Sequence, residues 1–393
     1  MKKLFKNMRL VDVENEEIIE DAVFTVEDDK FNFVGNSEKD VDDFDEVVNF
    51  GGKTVIPGLI DAHIHSLFDA SGDPFGSLEA ESASMITLKA ANFMKKTLEA
   101  GIVAIRDMGG VDYLEMGLNE AIKSGLSKGP RMQLSGKLIT MTGGHGHQFG
   151  REVDSPHEAR KAAREQLKNG VDLIKIMATG GVMTEGVQPG APQLTEEEMR
   201  AAIIEAHKAE RKTATHAQGV EGIKNALRAG IDSIEHGIFL DDEAIELMVH
   251  NDVFLVPTLA APYWIIDAGV EKGVPEFAVE KSKAVIESHA KSFQKAREAG
   301  VKIAMGTDAG TPFNKHGKNK FEIKMMVENG MKPIEAIKAA TMGGAELMEL
   351  TDKLGSISEG KLADMVVVDG KPDQDIEDIY EVAEVYKEGK KVK

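Results

Sequence analysis

The chain has 393 residues, of which 42% are hydrophobic and 29% charged, a composition typical of a globular protein with a large buried core. It contains no cysteine, which excludes disulfides and thiolate ligands, so any metal must be held by nitrogen and oxygen atoms. The net charge of −20 disfavours nucleic acid and anionic lipid as partners. There is no long apolar run of the kind that spans a membrane or directs secretion. These features together predict a soluble, cytoplasmic protein.

Both ends of the chain carry short apolar runs separated by acidic turns. Asp21–Val26 and Lys30–Gly35 alternate in the manner of antiparallel strands, and Asp364–Gly370 encloses another strand-like run. The sequence predicts that 1–55 and 348–393 together form one small β-sandwich domain.

Between these ends, strand-like and helix-like segments alternate regularly. Such alternation is typical of βα units around a parallel sheet. It predicts an α/β fold, a (β/α)8 TIM barrel over 56–347, with the reactive site at the carboxyl ends of the strands. The strand candidates are Thr54–His65, Ile102–Met108, Arg131–Leu138, Leu173–Met177, Thr213–Ala217, Ser233–His236, Phe254–Thr258 and Lys302–Asp308.

The helix boundaries of these units also have recognisable signals. Ser155 precedes Pro156 with a glutamate at the third helical position, and Thr195 with Glu198 forms a capping box. A glycine that suits a left-handed helix end precedes several of the next strands. These glycines are Gly101, Gly125, Gly170, Gly230 and Gly300.

Of the eleven histidines, four fall at the ends of predicted strands: His63, His65, His216 and His236. Two of them, His63 and His65, are two residues apart on one strand, so their side chains leave the same face and can share one ion. The histidines in helical patterns, by contrast, are expected to be ordinary surface or packing residues; these are His157, His207, His250 and His289.

Two further residues stand at the same end of the predicted barrel. Asp308 ends the eighth strand, and Lys175 lies inside the apolar fourth strand Leu173–Met177. A lysine buried without a partner costs several kcal/mol or loses its proton. The lysine therefore indicates a functional role.

These segments resemble the signatures of the amidohydrolase superfamily. The resemblance covers nearly the whole chain, and the nearest branch is the imidazolonepropionase-like amidohydrolases, which include dipeptidases acting on Xaa-Pro and on Xaa-Arg or Xaa-Lys. The matching segments are Ile56–His65, Thr215–Gly219, Ser233–Gly237, Gly306–Gly310 and Glu359–Asp364.

The resemblance implies a centre of two divalent metal ions. One ion would be held by His63, His65 and Asp308. The other would be held by His216 and His236, and a carboxylated Lys175 would bridge the two ions. Zinc suits nitrogen and oxygen ligands in catalysis without redox chemistry, and manganese or cobalt would also fit.

The resemblance also implies catalytic roles. Asp308 would accept a proton from the attacking water and return it to the leaving amine. His145, in the glycine-rich loop after the third strand, matches the family position that holds the substrate carbonyl or the oxyanion. Weaker candidates for substrate contacts, including carboxylate pairing by an arginine, are His147, Arg151, Gln218 and Arg106.

The predicted substrate is a small molecule, a dipeptide or an N-acyl amino acid cleaved at its amide. A cyclic amide or lactone remains an enzymatic alternative, whereas a metal-free binding scaffold is disfavoured because every expected ligand position is filled. Gln218 stands where dipeptidase members often carry an aromatic residue, so recognition of the carboxyl end is expected to differ. Family members often assemble, which is compatible with a homo-oligomer.

Overall fold

A computed structural model describes residues 1–36 and 44–393. The strands are β1 Lys2–Asp12, β2 Glu17–Glu27, β3 Lys30–Gly35, β4 Glu46–Asn49, β5 Thr54–Pro57, β6 Leu59–Ile64, β7 Ile102–Asp107, β8 Arg131–Leu134, β9 Ile139–Thr140, β10 Arg151–Glu152, β11 Leu173–Met177, β12 Lys212–Ala217, β13 Ser233–His236, β14 Phe254–Val256, β15 Met365–Val368, β16 Val382–Lys387 and β17 Lys390–Lys391.

The helices complete the βα alternation. They are α1 Pro74–Ala80, α2 Ala83–Glu99, α3 Leu114–Lys123, α4 Pro156–Lys168, α5 Glu196–Lys208, α6 Val220–Ala229, α7 Asp242–His250, α8 Ala260–Ala268, α9 Glu276–Glu298, α10 Lys320–Glu328, α11 Pro333–Lys338 and α12 Gly344–Leu347. Short 3-10 helices span Val270–Lys272 and Ile376–Tyr380, and a π-helical turn spans Ala339–Gly343. None of the helices in the described ranges is long and apolar enough to cross a membrane.

Strands from both ends of the chain share one hydrogen-bonded sheet. Its order is β17-β16-β15-β5-β1-β2-β3, and β4 pairs with β1. An aromatic cluster forms its core: the Phe5 ring lies 5.1 Å from that of Phe24 and 5.4 Å from that of Tyr386. Because Tyr386 comes from β16, apolar burial holds strands from the two ends of the chain together. The division into sandwich layers stays a prediction.

The central segment is a mixed α/β fold of TIM-barrel type. Two parallel sheets, β6-β7-β8 and β10-β9-β11-β12-β13-β14, carry the inner strands. Their facing edges are bridged by residues 302–309, which make parallel bridges to Leu255 of β14 and to Ile64 of β6. All the inner strands therefore present their carboxyl ends to one mouth, where loops meet.

Two predicted strands change their pairing partner along their length. The predicted strand Thr54–His65 is two strands, because β5 pairs with β15 of the end sheet while β6 pairs with β7 of the inner sheet. The predicted strand Lys302–Asp308 is extended backbone with isolated bridges. Its hydrogen bonds alternate between two neighbours: the Lys302 carbonyl accepts from β14, whereas the Met305 carbonyl accepts from β6. Both differences arise from a change of pairing partner, which periodicity does not encode.

Candidate active site

A row of imidazole rings forms the floor of the barrel mouth. His63 lies on β6 and His65 directly follows it, while His216 and His236 lie at the ends of β12 and β13, and all four are buried. The ring centroids are spaced at 5.7 Å (His65 to His63), 5.1 Å (His63 to His236), 4.5 Å (His236 to His216) and 4.3 Å (His216 to His145). The structure thus brings together the four strand-end histidines and the loop histidine singled out in the sequence.

Hydrogen bonds fix how His63 and His65 face the cavity. The Nδ1 atom of His63 lies 2.7 Å from the Glu235 carboxylate, and that of His65 lies 2.9 Å from the Gly109 carbonyl. Since both partners only accept, Nδ1 carries a proton in each ring, and Nε2 is the ring atom that faces Asp308. Each Nε2 lies 3.4 Å from Oδ1 of Asp308. Three donor atoms therefore converge on one point, as a shared cation requires.

Two buried atoms of the candidate ligands lack hydrogen-bond partners in the described part of the chain, and their chemistry indicates whether the site suits metal ions. Nε2 of His216 and Oδ1 of Asp308 are buried without a hydrogen-bond partner among the described residues. Burial opposes ionisation of Asp308, but its contacts with His63 and His65 hold the pKa of this carboxyl well below its usual range. Buried lone pairs are costly unless something satisfies them, so these nitrogen and oxygen atoms fit divalent cations.

Lys175 projects from β11 into the same cavity and is 2% exposed. Burial lowers the pKa of Lys175 to about 8, although Glu235 and Asp308 oppose that shift. An appreciable fraction of the amine is therefore neutral near pH 8, which is the form able to react with carbon dioxide. The lysine predicted from an apolar strand thus lies among the candidate ligands.

Arg106 does not occupy the position expected for a substrate contact. Its guanidinium is buried and donates to Glu235 at 2.7 Å, to Ser233 at 3.1 Å and to the Ala62 carbonyl at 2.6 Å. All three acceptors belong to the strands, and Arg106 is absent from the described cavity wall. The expectation of carboxylate recognition is corrected: Arg106 neutralises Glu235, the partner of His63.

His145 lies in the cavity wall, held by the loop that follows β11. Its Nδ1 lies 2.6 Å from the Thr184 hydroxyl, and its backbone N–H donates to Gln193 at 3.0 Å. The loop approaches so closely that a Cβ on Gly181 would lie 2.7 Å from the ring, a position that only glycine fits. Burial lowers the pKa of His145 to about 4, so the ring is neutral at physiological pH.

The other two loop candidates lie outside the described cavity wall. His147 is exposed, and its Nδ1 contacts the Gly144 carbonyl at 2.9 Å. Arg151 pairs with Glu165 at 2.9 Å. Their predicted substrate contacts would require these side chains to leave their present partners.

The chain has clear counterparts among known proteins. A model of the amidohydrolase family matches residues 54–392. The chain belongs to the amidohydrolase family. Ochratoxinase from Aspergillus niger is 31% identical over 369 residues, covering 86% of this chain and 75% of the relative.

Two solved structures resemble this amidohydrolase over its full length. A Xaa-Pro dipeptidase with methionine in its active site has a TM-score of 0.92 and 34% identity, covering 100% of this chain and 99% of its own. A prolidase complexed with N-methylphosphonate-L-proline has a TM-score of 0.93 and 30% identity, covering 100% of both chains. The family resemblance stated from the sequence is confirmed, and the amidohydrolase is a hydrolase of C–N bonds.

Sequence analysis missed two residues that hold the histidines in place. Glu235 bonds His63, and the Thr258 hydroxyl lies 2.7 Å from Nδ1 of His236. Glu235 had a detectable signal, a charged residue inside the buried strand β13, of the same kind that drew attention to Lys175. Thr258 has none, because only the fold brings the end of β14 beside β13.

Three residues of the amidohydrolase site have a left-handed backbone conformation. His236, Thr258 and Asp308 have φ angles of 72°, 53° and 61°, in the left-handed region that side chains other than glycine seldom adopt. Such strain persists only where surrounding contacts overdetermine it, and it is often found at functional sites.

Proposed function

We propose that this amidohydrolase uses two divalent metal ions to cleave the amide bond of a dipeptide or an N-acyl amino acid. The observation that carries the proposal is the convergence of His63, His65 and Asp308 on one point. The same cavity holds the buried Nε2 atom of His216, which has no partner among the described residues. The similarity of the chain to a Xaa-Pro dipeptidase and to ochratoxinase supports the amide as the scissile bond.

The donors divide into two sets. His63, His65 and Asp308 would hold one ion, His216 and His236 the other, and a carboxylated Lys175 would bridge them. Zinc is the first choice, with manganese or cobalt as alternatives. When bound, divalent ions polarise a carbonyl group and lower the pKa of water towards neutrality.

The protein's own groups supply proton transfer and orientation. Asp308 is ionised, so it is able to accept a proton from the attacking water and deliver it to the departing amine nitrogen. Neutral His145 is oriented by Thr184 and is suited to hydrogen-bond the substrate carbonyl oxygen. Since His63, His216 and Lys175 are buried, the groups around the reaction centre are shielded from bulk water.

Metal analysis combined with a substrate panel tests the proposal. Protein reconstituted with excess zinc or manganese and bicarbonate is expected to hold about two equivalents per chain by elemental analysis. It should cleave dipeptides or N-acyl amino acids in preference to lactones. A stoichiometry near one would contradict the binuclear centre, and selective lactone cleavage would contradict amide hydrolysis.

A histidine pair provides the matched control. His216→Ala removes a proposed ligand, whereas His157→Ala changes an exposed histidine on α4. The first variant is expected to retain fewer equivalents of metal and to lose turnover, and the second to behave as the parent protein. Equal metal content in both would argue against His216 as a ligand.

A further inference from the structure

We infer that the substrate carries a large apolar group on each side of its scissile amide, and that Gln218, rather than a cationic side chain, binds the polar part of the substrate. This inference rests on the proposed amide hydrolysis and specifies its substrate class. Three observations support it. Apolar walls stand at both ends of the row of imidazole rings, the described cavity wall has no cation except Lys175, and the Gln218 side chain has an oxygen without a partner among the described residues.

An aromatic wall stands at the His65 end of the cavity. Phe68 stacks on His65 with ring centroids 4.5 Å apart. Phe149 lies 5.2 Å from Phe68, and Phe75 lies 5.5 Å from each of them. The three phenylalanines come from separate segments, and all line the cavity. A ring packed here would gain edge-to-face contacts as well as burial.

An aliphatic wall stands at the His145 end. Gly181 packs against the His145 ring, and the next two residues, Val182 and Met183, contact the apolar cluster that contains Ile265 of α8. All three aliphatic side chains line the cavity. The row of imidazoles therefore has an apolar surface at each end, matching a substrate with apolar groups on both sides.

The cavity offers no cation to recognise a substrate carboxylate. Among the described lining residues, Lys175 is the only lysine and there is no arginine. Lys281 points from α9 towards the loop after β11, but it donates to the carbonyls of Thr184 and Val187 at 2.5 and 2.6 Å. Because an unpaired buried carboxylate is costly, a neutral group is favoured at the substrate terminus.

The Gln218 side chain is suited to hydrogen-bond the neutral end of the substrate. Its side chain is 4% exposed, lines the cavity and has an Oε1 atom without a partner among the described residues. Its backbone is fixed, since its N–H donates to the Thr179 hydroxyl at 3.0 Å and its carbonyl accepts from Phe239 at 2.8 Å. A side-chain amide presents a donor and an acceptor, which matches a carboxamide.

The proposed substrate class can be tested with a panel of related N-acyl amino acid derivatives. Metal-loaded enzyme is given N-benzoyl-phenylalanine amide, its free acid, N-acetyl-phenylalanine amide and N-benzoyl-alanine amide, and release of the acyl acid is measured. Loss of either ring is expected to lower kcat/KM at least tenfold, since burying such a side chain contributes roughly 1.5–3 kcal/mol. The neutral amide should be cleaved at least as well as its free acid.

The Gln218→Met variant tests the hydrogen bond at nearly constant volume. Loss of one neutral hydrogen bond is expected to lower kcat/KM for the carboxamide about threefold to tenfold. It should also narrow the difference between carboxamide and free acid. Gln294→Met, on the exposed face of α9, is the matched control and should change neither value.

Failure of the inference and failure of the proposed function are distinguishable. A free acid cleaved more than tenfold faster than its amide, or an unchanged kcat/KM after removal of either ring, would overturn the inference while leaving amide hydrolysis intact. If no amide is cleaved, the proposed function fails. Calorimetry on metal-loaded Asp308→Asn then still decides the inference: binding of N-benzoyl-phenylalanine amide at least tenfold tighter than its free acid supports it, and the reverse order overturns it.

Discussion

The role of Asp308 in catalysis can be tested without disturbing the fold, because asparagine fits the same backbone conformation. Asp308 is an ionised, buried carboxylate facing two imidazoles, and its backbone has a φ of 61°. Asparagine tolerates this left-handed conformation and keeps the side-chain shape, but its amide cannot carry a proton. The Asp308→Asn variant is therefore expected to keep the fold and to lose about 10²–10⁴-fold in kcat, the usual contribution of a general acid or base.

The measurement is steady-state turnover at matched metal content, with circular dichroism to check folding. His157→Asn, an exposed change, serves as the control. A correctly folded, metallated Asp308→Asn enzyme within about tenfold of the parent kcat would exclude this carboxylate as the base.

Lys175 is the residue whose chemistry depends most on modification. A free ammonium beside two dications would be repelled, whereas a carbamate replaces that cation with an anion. Lys175→Ala is therefore expected to lose metal and turnover together, and added short carboxylic acids should restore part of both. Elemental analysis and kinetics with and without acetate are the measurements, and Lys161→Ala on α4 is the exposed control. Full metal content in Lys175→Ala would contradict a bridging role.

At the scale of elements, local signals predicted the ends of helices well. The capping box at the start of α5 is present, with the Glu198 N–H donating to the Thr195 hydroxyl and the Thr195 N–H donating to the Glu198 carboxylate. Gly101 and Gly230, predicted to end helices, have φ angles of 100° and 95°. These features depend on neighbouring residues, which is why they could be identified from the sequence.

The capping box can be tested as a unit. Thr195→Ala is expected to lower the free energy of unfolding by about 1 kcal/mol, because an orphan N–H of the first turn loses its acceptor. Urea unfolding of Thr195→Ala, Glu198→Ala and the double variant gives the coupling between the two residues. Purely additive losses would show that the two hydrogen bonds act independently.

Features that depend on distant contacts were not predictable. Nothing around Thr54 or Lys302 indicates a change of pairing partner, and the position of Arg106 beneath the site requires Glu235 on another strand. The histidines proposed as ligands could be singled out because the predicted barrel pattern fixes where strand ends meet. The apolar walls combine loop residues with Phe75 of α1 and Ile265 of α8, which only the fold brings together. The proposed substrate class therefore came from the structure.

At the scale of the whole molecule, buried histidines make stability sensitive to acid. His316 stacks on Phe93 and its Nε2 lies 2.9 Å from the Phe68 carbonyl. Burial lowers the pKa of His316 to about 4. In the unfolded chain His316 takes up a proton near pH 6.5, whereas in the folded chain it does so only near pH 4. The stability contributed by neutral His316 is therefore complete above pH 6.5 and is lost as the pH falls towards 4.

The contribution of His316 can be measured as the slope of the free energy of unfolding against pH. Between pH 6 and 5 the free energy of unfolding should fall by about 1 kcal/mol for this histidine alone. In His316→Asn that part of the decline should vanish, whatever the variant's stability at pH 7. Urea unfolding across this range, with exposed His157→Asn as control, makes the comparison. An unchanged slope in His316→Asn would show that this ring does not titrate on unfolding.

The sheet shared by the two ends of the chain can be completed only after its C-terminal strands have been synthesised. Strand β5 pairs with β15, which leaves the ribosome about 300 residues later. At 5–20 residues per second this delay is about 15–60 s. During that time the nascent chain displays Phe5, Phe24 and Val55 without Met365 and Tyr386, their partners in the core. Most inner strands have their neighbours much earlier, although β6 also awaits residues 302–309. The end sheet waits longest, so it is the part of the nascent protein that most needs protection by chaperones until translation ends.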